Sequence, residues 1–372
     1  MSQSSEMAEQ GAIPKVPPLR RRALRAVGSL FTPLLPDDYL ELIDPLLSTR
    51  ELRGRIERVV PETAEAATVW IRPGHEWAGH RPGQYLRIGV VVDGVHHWRA
   101  YSLTSDPAGT DDGCIAITPK LVEAGRVSPY LVRAARPGDV VRLGGVEGTF
   151  VLPEPLPPKL LFVSAGSGIT PIFGMLASLA GRGALADVVH LHSARSAEQV
   201  IFAERLRALA ADHPGFELRL RLTGTQGRFV PAELDALCPD WCDRHAFASG
   251  PAAMLDDLSQ HWRAQGDPEL LAMERFQPIV SAGAGAGAGG TIRFDRSGVE
   301  AVSDGATPIL VAGEAAGAAL PCGCRMGICH TCVGELRRGE VRDLRTGEVH
   351  GSAGEMVRTC VNAPEGPIEI AL

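Results

Sequence analysis

Ten residues, SAGAGAGAGG at positions 281–290, carry nothing bulkier than a methyl or hydroxymethyl group. No core can be built from them, so the chain cannot close as one body and must fold on either side of a tether. As a flexible coil, ten residues average roughly 17–19 Å end to end. The 372 residues, 45% of them hydrophobic, leave enough chain for two or three cores at ~150 residues per domain. The patterning divides the chain into an extension with short helices (1–50), a unit at 51–153, a second at 154–276, a flexible linker at 277–290 and a third unit at 291–372.

Residues 51–150 read as short β-branched runs, ATVWIRP, QYLRIGVVVDGV, CIAIT and DVVRLGG, broken by Pro and Gly at the intervals of a small antiparallel β-barrel. From Lys159 the period changes. KLLFVSAG is an apolar strand, TPIFGMLASLAG a helical pattern, ADVVHLHSAR a strand and AEQVIFAERLRALAADH a helix; FELRLRLT is another strand, and AFASGPAAMLDDLSQHW a strand leading into a helix. Strand and helix in alternation predict a doubly wound parallel α/β sheet. In the extension, DDYLELIDPLLS offers Asp37 or Asp38 as the cap of a short amphipathic helix.

The formal charge of -7 gives no general attraction to nucleic acid or to an anionic bilayer. The opening MSQSSEMAEQ has acids where a secretion signal carries positive charge, and no run approaches the ~18–20 apolar residues of a membrane span. A cytoplasmic protein is expected. Only Lys15, Lys120 and Lys159 among the 37 basic residues are lysines, so clusters of arginine say less than usual.

Four of the eight cysteines lie in PCGCRMGICHTC, residues 321–332. Zinc and an iron–sulfur cluster compete for them. Zinc ribbons use two separated C-x2-C hooks, whereas Cys324, Cys329 and Cys332 give C-x4-C-x2-C, with Cys360 the only later cysteine. That spacing favours a two-iron, two-sulfide cluster, with Gly327 suited to a loop folding tightly around sulfide. Cys322 is left over. His330 is expected as a loop residue, because a Rieske site needs two histidines. Cys114, Cys238 and Cys242 are expected as small buried hydrophobes; a metal hook of Cys238, Cys242 and His245 is the lesser alternative. LPCGCRMGICHTC, with EIAL at the end, resembles plant-type ferredoxins, which implies a β-grasp ferredoxin domain over about residues 291–372.

A one-electron cluster cannot take a hydride from a nicotinamide, so a flavin is expected between them. RAYSLTS, residues 99–105, supplies an arginine for a pyrophosphate, a tyrosine on the same side of an extended strand to stack on the ring, and a serine to hydrogen-bond its edge. By itself Tyr101 also reads as an ordinary barrel aromatic. With PGQYLRI before it, GRVSPYL after it and GVEGTF closing the segment, the order resembles the ferredoxin–NADP reductase superfamily. The resemblance implies that Arg99, Tyr101 and Ser102 bind FAD and that Thr118 and Lys120 lie on the next strand. Val127 and Ser128 would offer a helix start to the pyrophosphate.

VSAGSGITP follows an apolar strand and opens a helix, so Gly166 and Gly168 allow close approach to a phosphate. Pro171 stands where a third glycine is usual and suits a first helical turn. SGPAAML resembles the superfamily's later nicotinamide motif, with Ser249 in place of the usual cysteine before Gly250 and Pro251. MERFQP resembles the exit from the nucleotide domain in reductases carrying a C-terminal ferredoxin. HLHSARSAEQ has no acid at the strand end to bind a ribose diol and offers Ser193 and Arg195 to a phosphate, so NADPH is expected, with NADH the alternative.

The expected activity is NAD(P)H oxidation: hydride passes to the flavin beside Ser102 and Thr170, with Ser249 the third catalytic position, and single electrons go to the cluster and then to a partner protein. A non-catalytic flavin- and metal-binding redox sensor is the competing class, separated by a visible spectrum that does or does not bleach with NADPH. The extension, KVPPLRRRALRAVGSL and FTPLLPDDYLELIDPLLS, resembles that of bacterial reductases feeding membrane acyl-CoA desaturases. Lys15, Arg20, Arg21, Arg22 and Arg25 are free of acids and able to approach anionic lipid at up to ~1 kcal/mol per charge. A membrane di-iron desaturase or hydroxylase is therefore the expected acceptor, with peripheral membrane contact. The alternatives are a soluble Rieske or haem-thiolate oxygenase as acceptor, and residues 34–47 simply packing on the barrel.

Overall fold

The computed structural model describes residues 41–92, 94–108, 112–123, 125–276, 287–322, 327 and 331–372. The first sheet has six strands, β1 (Arg53–Thr63), β2 (Ala66–Pro73), β3 (Tyr85–Val92), β4 (Val95–Ser102), β5 (Ile115–Ile117) and β6 (Val140–Glu147), in the order β4-β3-β6-β1-β2-β5. Every pair is antiparallel. Its two edges meet: Leu103, just past β4, bridges Ile117, and the Thr104 N–H donates to the Ala116 carbonyl at 2.8 Å. The alternation legible in the sequence puts Ile56 opposite Ile71 and Val69 opposite Ile117, all buried in one core.

The second sheet contains β7 (Leu160–Ala165), β8 (Val188–Ala194), β9 (Phe216–Leu222), β10 (His245–Ser249) and β11 (Leu271–Glu274), in the order β11-β10-β7-β8-β9. All pairs are parallel. Helices Ile169–Gly181, Ala203–Asp212 and Ala252–Gln265 are the crossovers. The chain winds from β7 to β9, then returns to the other side of β7, so the topological switch point lies between β7 and β10. Both faces are covered. Leu161, Val163 and Val189 pack with Trp262 on one side; Phe162, Phe216 and Phe247 lie in the core on the other. That second core also takes in Ala66, Phe150 and Leu152, so the flavin-type and nucleotide-type units share buried side chains.

The helix expected over residues 197–213 forms only in part. Ala197–Gln199 is a single 3-10 turn, and the α-helix starts at Ala203, after Phe202 in a left-handed conformation (φ 64°). Val200, Ile201 and Phe202 are all fully buried, and three successive side chains cannot share one face of a helix.

The third unit comprises β12 (Gly290–Phe294), β13 (Glu300–Ser303), β14 (Val333–Arg338), β15 (Val341–Asp343), β16 (Val349–His350), β17 (Met356–Arg358), β18 (Asn362–Pro364) and β19 (Ile368–Ala371). Strands β13-β12-β19-β14-β17 form a mixed sheet in which β12 and β19 run parallel, and β16-β15-β18 form a second. With helix Ile309–Ala315 packed on Phe294 and Ile370, this is a β-grasp arrangement. Among the described residues, its cores share no member with the other two units.

Before β1, Glu41 pairs with Arg53 at 3.0 Å and Asp44 with Arg55 at 2.6 Å, while Leu46 is buried. This part of the extension packs on the barrel, yet Leu42 and Ile43 are each 79% exposed. The candidate caps Asp37 and Asp38 and the basic stretch lie outside the described residues. No described helix is long and apolar enough to cross a membrane.

Candidate functional site

At the switch point, the loop after β7 touches the loop after β10. Gly166–Gly168 forms a 3-10 turn, Gly166 with φ 54°, and a Cβ on Gly168 would run into the Ser249 carbonyl. A Cβ on Gly250 would stand 2.6 Å from the Met254 methyl, which can swing aside, so the backbone contact makes glycine necessary at Gly168. Thr170 is buried and donates to the Ser167 carbonyl at 3.0 Å; Pro171 lies in the first turn of helix Ile169–Gly181, as its missing N–H allows. Pro251 is the exposed N-cap of helix Ala252–Gln265. The same helix Ile169–Gly181 presses on the barrel, where a Cβ on Gly174 would strike the Leu103 carbonyl just after RAYS.

Ser249 is fully buried, and among the described residues its hydroxyl has no hydrogen-bond partner. Strand register sets it between Ser164 and Glu274. Glu274 Oε2 is also buried without a partner, and burial pushes this carboxyl up to about 8, so it is protonated at neutral pH. An orphaned hydroxyl beside a neutral carboxyl at a switch point fits a ligand that offers an amide, as nicotinamide does. Ser164 Oγ lies 2.8 Å from both His190 Nε2 and His192 Nδ1. Burial lowers both imidazoles, His192 to about 4, so they are neutral. Sequence reasoning missed Glu274, although it lies inside MERFQP, and it missed this cluster, although H-x-H in a strand puts both rings on one face. At the end of β8, Ser193 is half-buried and Arg195 exposed; Ser193 is in register with Arg221, which pairs with Glu233.

In the barrel, Arg99 and Tyr101 lie two apart on β4 and Ser102 is buried. Arg99 Nη1 donates to the Trp98 carbonyl at 2.8 Å and lies 3.3 Å from Cys322 Sγ, the leftover cysteine of the third unit. Burial raises the Tyr101 hydroxyl above its ordinary value, consistent with a ring inside a site and not on a surface. Thr118 and Lys120 fall just beyond β5 and not on it. Thr118 Oγ1 sits 3.0 Å from Thr68 Oγ1 and 3.2 Å from Thr104 Oγ1, and Lys120 pairs with Glu65 at 3.4 Å. Val127–Pro129 opens a short helical segment as expected, and Ser128 Oγ accepts from the Val122 N–H at 3.0 Å.

Of the four candidate cluster ligands, Cys332 and Cys360 are described; Cys324, Cys329 and His330 lie outside the described residues. Cys332 and Cys360 belong to one buried group with Leu310 and Val361. The Thr359 N–H and hydroxyl both donate to the Cys332 carbonyl, at 3.1 and 2.8 Å. Gly327 has φ 74°, its carbonyl is held by Arg358 at 2.9 Å, and a Cβ there would meet Val361 at 2.8 Å. Two cysteines in one buried apolar group, with Gly327 packed close to Val361 of that group, fit an Fe–S cluster held by thiolates. Elsewhere, Cys114 and Cys238 are buried as expected, but Cys242 is exposed: it lies in the 3-10 turn Trp241–Asp243, whose apolar contribution to the core is Trp241. Burial pushes the Cys238 thiol up to about 11.

A closed antiparallel sheet, a parallel sheet with a glycine crevice and a β-grasp unit holding paired buried cysteines define a flavin- and nucleotide-dependent oxidoreductase with an iron–sulfur domain. Family models agree segment by segment: an oxidoreductase FAD-binding domain over residues 68–152, an oxidoreductase NAD-binding domain over 162–260, and a 2Fe-2S iron-sulfur cluster binding domain over 292–365. The chain is 49% identical over 347 residues to an NADPH oxidoreductase of Mycobacterium tuberculosis (strain ATCC 25618 / H37Rv), covering 92% of this chain and 90% of that one. It is 27% identical to a glycine betaine monooxygenase reductase subunit of Pseudomonas aeruginosa (strain UCBPP-PA14), over 78% of this chain and 86% of that one. In fold it matches the solved phthalate dioxygenase reductase with a TM-score of 0.59, at 20% identity, over 86% of this chain and 97% of that one. The chain belongs to the ferredoxin–NADP reductase superfamily, among the reductases that carry a C-terminal 2Fe-2S domain. Its cofactors are FAD, NAD(P)H and a 2Fe-2S cluster.

Proposed function

We propose that this reductase draws electrons from NADPH and delivers them singly to an oxygen-activating partner at a membrane, a di-iron lipid desaturase or hydroxylase. Bound FAD takes both electrons of a hydride and releases them one at a time, and the 2Fe-2S cluster relays single electrons. Arg99, Tyr101 and Ser102 hold the flavin, with Thr118, Lys120, Val127 and Ser128 around its remaining edge and phosphates. Gly166, Gly168, Thr170, Pro171, Gly250 and Pro251 form the nucleotide crevice, where the Ser249 hydroxyl orients the carboxamide and the neutral Glu274 carboxyl donates without adding charge. Ser193 and Arg195 receive the 2′-phosphate of NADPH. Cys324, Cys329, Cys332 and Cys360 ligate the cluster.

The observation that carries the choice of partner is the pair Leu42 and Ile43, each 79% exposed and held near β1 by the Asp44–Arg55 pair, in a chain whose sequence has a basic, acid-free stretch upstream. NADPH is supported by the name of the Mycobacterium tuberculosis relative. A soluble oxygenase partner is the second reading, favoured by relatives named as monooxygenase reductase subunits. The test is reconstitution of the holoenzyme with desaturase-containing membranes. NADPH-dependent desaturation is expected, falling about tenfold when residues 1–47 are removed; no desaturation with the full chain would overturn the membrane partner.

A further inference from the structure

The nucleotide unit meets the flavin barrel at a polar latch between the end of β1 and the start of helix Ala203–Asp212. Glu62, at the end of β1, accepts from the backbone N–H of Phe202 at 3.2 Å through one carboxylate oxygen, and from Thr68 Oγ1 at 2.5 Å and Arg205 Nη2 through the other. Phe202 is the N-cap of helix Ala203–Asp212 and has no cap of its own, so a carboxylate from another unit satisfies the helix start. The left-handed backbone of Phe202, unusual for an aromatic residue, is what turns that N–H toward the barrel.

From this point the latch reaches both cofactor segments. The Arg205 guanidinium lies 4.5 Å over the Phe202 ring and 4.7 Å over Phe173, which is stacked on Phe202 at 4.0 Å. Phe173 sits on the helix that opens at the nucleotide crevice. In the other direction, Thr68, Thr118 and Thr104 form a run of hydroxyls at 3.0 and 3.2 Å that ends two residues beyond Ser102. A rotation of the nucleotide unit against the barrel would strip two donors, the Phe202 N–H and Arg205, from a carboxylate whose side chain is only 11% exposed.

We propose that Arg205 is a positioning residue for hydride transfer: with Glu62 it locks the nucleotide crevice at one angle to the flavin face. It touches neither cofactor. Reacting atoms must come within about 3–3.5 Å, and a 1 Å misplacement can cost ~100-fold, so a clamp on the angle between the units acts on rate and not on affinity.

The test uses the full-length holoenzyme, with FAD and cluster content confirmed by spectrum. In anaerobic single-turnover reduction by saturating NADPH, Arg205→Ala is expected to slow flavin reduction about tenfold while the NADPH dissociation constant stays within about twofold. Arg205→Lys, which keeps the charge, is expected to recover part of the rate. Independently of turnover, hydrogen exchange of the Phe202 amide is expected to quicken in Glu62→Ala and to stay slow in Glu62→Gln, whose amide oxygen still accepts. An unchanged reduction rate at saturation in Arg205→Ala, a loss confined to nucleotide affinity, or a Phe202 amide indifferent to Glu62→Ala would each overturn the proposal. A mistaken flavin-site assignment would show separately, as Arg99 and Tyr101 variants that retain FAD.

Discussion

The two junctions in this chain are built differently. Between barrel and nucleotide unit, a core is shared, Phe150 packs edge-on against Phe247 at 5.6 Å, and Glu62 accepts from two donors of the nucleotide unit. The β-grasp unit has one described hydrogen bond to the barrel, Arg99 with Cys322 at 3.3 Å, its cores are separate among the described residues, and a Gly-Ala stretch links it to the nucleotide unit. The difference follows the particle being moved. A hydride needs its donor and acceptor held in near-attack geometry, whereas a single electron passes between cofactors that need not touch. The rigid junction serves the first and the tethered one the second.

The comparison breaks most visibly at the cluster. Cys332→Ser is expected to leave reduction of FAD by NADPH within about twofold and to cut electron delivery to a one-electron acceptor protein by on the order of 100-fold, read as cluster absorbance and acceptor reduction side by side. Equal losses in both steps would mean that the β-grasp unit supports the flavin site as well. A smaller effect is expected from the tether: inserting ten Gly/Ser residues within 281–290 dilutes the β-grasp unit around the flavin by about 3-fold, as the −3/2 power of length requires. Flavin reduction should not change, and an unchanged cluster reduction rate would show that the unit is docked in one place.

The smallest effect is on stability. His190 and His192 are buried and neutral, with pKa values depressed by burial, so the unfolded chain binds protons there that the folded chain does not. Their contribution is present above about 6.5 and lost as pH falls toward 4, at up to about 1.4 kcal/mol per pH unit for each ring. A fall of several °C in the melting of the nucleotide unit between pH 6.5 and 5, smaller in a His192→Asn variant and absent from the β-grasp transition, is the expected record. Identical acid shifts in both transitions would locate the lability elsewhere.

Several parts of the molecule were legible because they rest on local rules. Period-2 runs gave the barrel strands, the β-α alternation gave the parallel sheet, and cysteine spacing gave the cluster. The glycines of VSAGSGITP read as room for a phosphate; the structure adds that Gly168 also lies close against the Ser249 carbonyl. The helix read over 197–213 failed where a local pattern was overruled. Val200, Ile201 and Phe202 are apolar residues of helical appearance, but each is claimed by the shared core, and the Phe202 N–H is claimed by Glu62, 140 residues earlier.

What the sequence determined alone was therefore chemistry: which cofactors the chain can hold, and in which order. The tertiary structure decided angles and protonation. Glu274 is an ordinary acid in MERFQP until β11 buries it beside Ser249, where desolvation keeps its proton. Glu62 and Arg205 are two unremarkable charges among the 81 acidic and basic residues until two sheets close on them. Spacing along a chain reports what neighbouring residues can bind, but desolvation and long-range pairing depend on which distant residues remove the water, and only the closed fold specifies those.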